Sequence, residues 1–192
     1  MVILGRDGVV NRDDQGFVTT PEQWRPIDGS LEAIARLNQA GCQVVVATNQ
    51  PELARGLFHI DALNAIHQRL RSQLDRLGGH LDGIFFCPHR PSDNCPCRKP
   101  RPGMLEQIRE RFHLDLGEAV MIGDRRHDLE AAQAVGVRFL LVLTGRGRET
   151  REQLPATART PVFRDLAEAS RAILSGAIET ERSDDNLAPD PH

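Results

Sequence analysis

Three thiols and an imidazole crowd into eleven residues of this chain: Cys87-Pro88-His89, then five residues, then Cys95-Pro96-Cys97. These are the soft donors that a tetrahedral Zn²⁺ takes in a closed structural site, where metal binding supplies folding free energy to a loop with little core of its own. The bland alternative is four ordinary loop residues, but a full Cys3His set at this spacing favours the metal. A disulfide is disfavoured, because Cys95 and Cys97 are too close in sequence to bridge easily. With no coordination position left open, the zinc is expected to be structural. Cys42, before the second strand, reads as a small buried apolar residue.

A second set is spread along the chain: Asp7, Thr48, Arg98, Lys99, Asp124 and Asp128. Carboxylate and carbonyl oxygens suit Mg²⁺, and a lysine point charge beside a fork-shaped arginine suits phosphoryl oxygens. Taken singly, an Asp after a strand is commonly a turn or helix cap; the order of the set gives it weight. Of the 24 basic residues Lys99 is the one lysine, which points to a chemical reason for keeping it.

Alternating strand and helix patterns must position these groups. Val2-Ile3-Leu4 is a short apolar run that breaks into Asp7-Gly8. Ser30 is a plausible helix N-cap, followed by Leu31, Ile34 and Leu37 at helical spacing and stopped by Gly41. Residues 43–48 read as a β-branched strand, and Leu63, Ile66, Leu70 and Leu74 as a helical stripe ended by Gly78-Gly79. Strands are predicted at 84–86, 120–122, 139–143 and 162–163, and helices over 104–111, 128–135 and 166–174. Continuous apolar strands separated by helices imply a parallel sheet covered on both faces, a three-layer α/β sandwich. Ligands then bind beyond the carboxyl ends of the strands, where Asp7, Thr48 and Asp124 fall.

Composition narrows the classes further. At 192 residues, 40% hydrophobic and 27% charged, the chain suits one globular domain, expected over residues 1–174. No apolar run approaches the roughly 20 residues of a bilayer span, and a net charge of −3 is no nucleic-acid footprint. The start turns polar after three apolar residues, unlike a signal peptide, so a cytoplasmic protein with reduced thiols is expected. Residues 175–192, with five acids and one arginine, read as a disordered acidic tail.

Four ordered blocks make the chain resemble the haloacid dehalogenase superfamily of phosphatases over about residues 2–150: Arg6-Asp7-Gly8-Val9-Val10-Asn11; Ala47-Thr48-Asn49-Gln50 with Ala54-Arg55-Gly56; the Cys/His loop running into Arg98-Lys99-Pro100 and Pro102-Gly103-Met104; and Ile122-Gly123-Asp124 with Asp128. Within the superfamily it resembles the heptose bisphosphate phosphatases. The resemblance implies a Rossmann-like sheet without a bulky cap domain, and phosphoryl transfer to an aspartate at the end of the first strand. A second aspartate two residues on then acts as general acid and base. Asp7 matches that second aspartate and a Mg²⁺ ligand, Asp124 another Mg²⁺ ligand, and Thr48 and Lys99 the groups that steady the phosphoryl oxygens. Arg98 matches a substrate-recognition residue. Asp13, Gly16, Thr48, Asn49, Gln50, Pro51 and Arg125 fall where the family contacts its sugar phosphate. Cys87, His89, Cys95 and Cys97 match its zinc ligands. The expected partner is a small sugar phosphate of lipopolysaccharide precursor synthesis, bound by a monomer with neither nucleic acid nor membrane. Histidinol phosphate is an alternative substrate, since Gly123-Asp124-Arg125 fits that phosphatase too, but Ala54-Arg55-Gly56 and Pro102-Gly103-Met104 fit the heptose enzymes better.

The departures fall in one pocket. The family begins Asp-Arg-Asp-Gly, whereas this chain reads Gly5-Arg6-Asp7-Gly8, so the position of the nucleophile holds glycine. Glycine offers no atom to phosphorus or to Mg²⁺. Pro51 and Glu52 replace the family's Ser-Gly, deleting a backbone N–H and adding negative charge beside a dianion. Arg125 stands where lysine is usual and keeps its charge. Two functional expectations follow: a heptose bisphosphate phosphatase of impaired catalysis, or a non-catalytic phosphosugar-binding relative.

Overall fold

Successive side chains of a strand point to opposite faces of its sheet, and strand β1 (Val2–Leu4) shows both faces buried. In the computed structural model, which describes residues 1–13, 16–155 and 157–178, Leu4 joins Val44, Val46, Ile122 and Leu140 in one core, while Ile3 joins Val45, Met121 and Leu141 in another. The strands supplying them are β2 (Val44–Asn49), β4 (Val120–Gly123) and β5 (Arg138–Val142). With β3 (Gly83–Cys87) and β6 (Val162–Phe163) they form a parallel six-stranded sheet of order β3-β2-β1-β4-β5-β6.

Helices α1 (Ser30–Gln39), α2 (Ile60–Asp75) and α6 (Leu166–Leu174) send Leu31, Ile34, Leu37, Ile66, Leu70, Leu74 and Leu166 into the first core. Helices α3 (Gly103–Phe112) and α4 (Arg126–Ala134) send Met104, Leu105, Ile108, Leu129 and Ala132 into the second. Each fully buried side chain of this size contributes roughly 1.5–3 kcal/mol relative to exposure. The product is the expected three-layer α/β sandwich with a Rossmann-like sheet. From β1 the chain steps outward to β2 and β3, then returns to β4 on the other side of β1. Neighbouring strands that leave in opposite directions open a crevice beyond their carboxyl ends.

Two expectations are corrected. Ser30 is the first helical residue, not the cap: Gly29 caps α1 with φ 79°, and the Ser30 hydroxyl donates instead to the Val10 carbonyl at 2.7 Å. At the carboxyl end of the chain, Ser175 caps α6 and Ile178 packs against the first core, its carbonyl accepting from Arg138 at 2.9 Å, so folded structure reaches past residue 174. The rest of the expected tail, 179–192, lies outside the described residues. Helix α5 (Gly147–Gln153) was not anticipated. No helix among the described residues is long and apolar enough to cross a membrane.

Candidate active site

The chain leaves β1 through Gly5, whose N–H still donates to Ile122 O at 2.9 Å, then turns tightly, with the Arg6 carbonyl accepting from the backbone of Val10 and Asn11. The turn buries Arg6 almost completely, at 1% exposure. Its guanidinium donates to both carboxylate oxygens of Asp7 at 2.9 Å, to Gln50 Oε1 at 3.1 Å, and to His67 Nε2 at 3.2 Å. Asn11 and Gln50 amides also donate to Asp7, each at 2.9 Å. Burial pushes the Asp7 carboxyl up, but the Arg6 charge and these hydrogen bonds outweigh it and hold Asp7 below the usual carboxylate range. Burial and then the Arg6 charge drive His67 down to about 3, so its neutral ring accepts from Arg6.

From the end of β2 come Thr48, whose hydroxyl accepts from Gln50 Nε2 at 3.0 Å, and Asn49, which brackets Lys99 by bonding its carbonyl and its N–H at 3.0 and 3.2 Å. Lys99 is buried. Its Nζ lies 2.6 Å from the Ala47 carbonyl and 2.6 Å from Asp128 Oδ1. Burial raises the Asp128 carboxyl, but the Lys99 ammonium overcomes that and leaves it below its ordinary value. Its other oxygen accepts the Arg125 N–H at 3.2 Å at the start of α4.

Asp124 follows β4 at 1% exposure, and its Oδ2 accepts the Arg146 N–H at 2.9 Å. Burial, and next the Asp128 charge, push it up to about 7. Backbone crowds it closely: a Cβ on Gly8 would sit 2.1 Å, and one on Gly145 2.3 Å, from Asp124 Oδ2. Both glycines also have positive φ, 82° and 55°, so side chains are excluded twice over. Arg125 pairs with Asp13, which burial nonetheless raises above its ordinary value.

These groups line one cavity of about 220 Å³ with Gly5, Gly16, Phe17, Asn49, Pro51, Glu52, Arg55, Arg98 and His127. Most of the expected site residues therefore meet. Gln50 is absent from the lining and instead lies behind Asp7, and Asp13 reaches the cavity through its pair with Arg125. At Gly5 a Cβ would meet Val9 Cγ2 at 3.0 Å and otherwise nothing nearer than 3.7 Å. A Cβ there needs only a slight shift of one methyl group. Arg6, His67, His127 and Thr150 were missed as functional groups. The signal for His67 was its place on the Leu63, Ile66, Leu70 stripe; Thr150, whose hydroxyl donates to Asp124 O at 2.8 Å, gave none.

Beside the cavity, Cys87, His89, Cys95 and Cys97 place their ligand atoms within 4.8 Å of one another. His89 Nδ1 lies 3.5 and 3.4 Å from the sulfurs of Cys87 and Cys97, and Cys95 Sγ lies 3.6 Å from each of the same two. A zinc tetrahedron with bonds of about 2.3 Å to sulfur and 2.0–2.1 Å to nitrogen has edges of about 3.5–3.8 Å. The donor set fits such an ion in size and in kind. The loop also supports the cavity wall: Cys87 O accepts the Gln50 N–H at 2.7 Å, and Arg90 Nε donates to Ala54 O at 2.9 Å.

A parallel sheet with carboxylates after its first and fourth strands, a threonine at the end of its second and a buried lysine between them defines the class of haloacid-dehalogenase-like hydrolases. A HAD-hydrolase-like family model matches residues 96–169. A D-glycero-β-D-manno-heptose-1,7-bisphosphate 7-phosphatase of Bordetella bronchiseptica is 48% identical over 177 residues, 92% of this chain and 99% of its own length; one of Pseudomonas putida is 46% identical, over 91% and 99%. A crystal structure of the D,D-heptose 1,7-bisphosphate phosphatase from B. bronchiseptica, complexed with magnesium and phosphate, superposes with a TM-score of 0.88 at 48% identity, covering 91% of this chain and 97% of that one. The corresponding protein of Burkholderia thailandensis gives 0.72 at 40% identity, over 91% and 97%. The chain belongs to the family of D-glycero-β-D-manno-heptose-1,7-bisphosphate 7-phosphatases.

Proposed function

We propose that the cavity binds D-glycero-β-D-manno-heptose 1,7-bisphosphate with its 7-phosphate between Thr48, Lys99 and Asp7. The chain is thereby a Mg²⁺-dependent phosphomonoesterase of lipopolysaccharide precursor synthesis whose turnover is cut deeply by Gly5. The observation that supports this best is the buried Lys99–Asp128 pair at 2.6 Å, set between Thr48 and Asp124 at the strand ends. It holds a cation in place where only 3% of the residue is exposed. Five cations and four carboxylates line the cavity, close to balance, so a bisphosphate of roughly −3 to −4 needs further positive charge. Mg²⁺ held by Asp124 and the Asp7 carbonyl would supply it. Asp7, kept ionised by Arg6, takes the acid–base position that the family resemblance assigns it. Asp13, Gly16, Asn49, Gln50, Pro51, Arg98 and Arg125 shape or support the sugar-phosphate subsite. Zn²⁺ on Cys87, His89, Cys95 and Cys97 holds the adjoining loop, and the protein works as a cytoplasmic monomer. A second reading, phosphosugar binding without turnover, is favoured by Gly5, Pro51 and Glu52 meeting in this one cavity.

Phosphate release from the bisphosphate with Mg²⁺ decides between the two, comparing the chain with Gly5→Asp after metal analysis shows one zinc per chain. Slow release rising at least about 10⁴-fold in Gly5→Asp fits the phosphatase reading, since groups that act as a unit lose nearly everything together. No release from either, with the bisphosphate still bound, sustains the second. Equal rates would overturn the role given to position 5.

A further inference from the structure

The cations of the cavity are not equally committed. Arg6 is spent on Asp7, Gln50 and His67, Lys99 on Asp128 and Ala47, and Arg125 on Asp13, while Arg98 donates one long bond of 3.4 Å to the His89 carbonyl. Arg55 differs: it is exposed, lines the same cavity, and among the described residues its guanidinium has neither an ion pair nor a hydrogen bond. Its backbone is nevertheless held. The Arg55 N–H donates to Pro51 O at 3.1 Å, and the preceding carbonyl, Ala54 O, accepts two N–H groups of Arg90 from the Cys/His loop. A free, forked guanidinium on a fixed turn at the mouth, above a buried ammonium at the floor, matches a ligand with phosphates at both ends.

Resting on the function proposed above, we infer that Arg55 binds the phosphate that is not removed, the 1-phosphate, and that the Arg90–Ala54 bond positions it. Arg55 is thus a specificity residue, selecting bisphosphates over sugars phosphorylated only at the reacting end. Because Gly5 slows turnover, the intact substrate serves as an equilibrium probe. Calorimetry with Mg²⁺ compares heptose 1,7-bisphosphate with heptose 7-phosphate. The chain should prefer the bisphosphate by about tenfold or more, the size of one charge-assisted pair. Arg55→Ala should erase that preference while leaving 7-phosphate affinity unchanged. Arg55→Lys should restore part of it, and Arg90→Ala should reduce it less than Arg55→Ala does. A preference that survives Arg55→Ala, or equal loss for both ligands, overturns the assignment while the functional reading stands. Failure of the unaltered, folded chain to bind either sugar sinks the functional reading and the assignment with it.

Discussion

The Cys/His loop and the end of β1 flank the same cavity but are built by opposite rules. In the loop, four donors from one short stretch converge on a common centre. At the end of β1, Arg6, which holds Asp7, is itself held by partners 44 and 61 residues away, Gln50 and His67, while Gly5 contributes no side chain at all. The difference separates fold from chemistry. Damage to the loop strikes structure first, whereas the change at position 5 strikes only what the cavity can do, because every bond around Asp7 forms without it.

The largest expected effect tests that separation directly. Gly5→Asp should raise turnover at least about 10⁴-fold while costing no more than about 1–3 kcal/mol of unfolding free energy, since its Cβ presses on only one Val9 methyl. A large loss of stability measured by urea denaturation would show that position 5 is structural after all. Cys97→Ser should do the reverse: zinc content falls and stability drops by several kcal/mol, as metal analysis and thermal melting would show. Unchanged melting would remove the contrast. Lys99→Met leaves the Asp128 carboxylate buried without its cation, and should cost about 3–5 kcal/mol of stability as well as phosphate binding.

The pH dependence sharpens the β1 side alone. His67 is held near 3 in the fold against its ordinary 6.5, so the unfolded chain takes up its proton first. Its contribution is fully present above about 6.5 and is lost as pH falls toward 3, amounting to about 3 kcal/mol by pH 4. His67→Gln should flatten that part of the stability curve; an identical curve would mean that His67 already carries a proton in the folded protein.

What the sequence made legible follows the same division. The strands could be read because they are short continuous apolar runs, most helices because apolar side chains recur at a period of 3.6, as in Leu166–Leu174, and the Cys/His loop because its donors are local. Helix α5 could not: Gly147–Gln153 offers no apolar side chain, so no period marks it, yet its Thr150 steadies Asp124. The Ser30 cap misled because Gly29, with its left-handed backbone, does that work and frees the hydroxyl for Val10. The burial of Arg6 was equally invisible, since a charge enters a core only when distant partners meet it there, and no local pattern announces His67 and Gln50 together. Gly5 was the opposite case, conspicuous in the sequence by what was missing, while the room left for a side chain could be measured only in three dimensions.

That vacant room gives the lineage an unusual freedom. At Gly8 or Gly145 any side chain would collide with Asp124, so those glycines are trapped; at Gly5 the neighbours have not closed in, and a Cβ meets only a Val9 methyl at 3.0 Å. As long as Val9 keeps its place, position 5 can gain a Cβ while the backbone hydrogen bonds that shape the turn around it stay as they are.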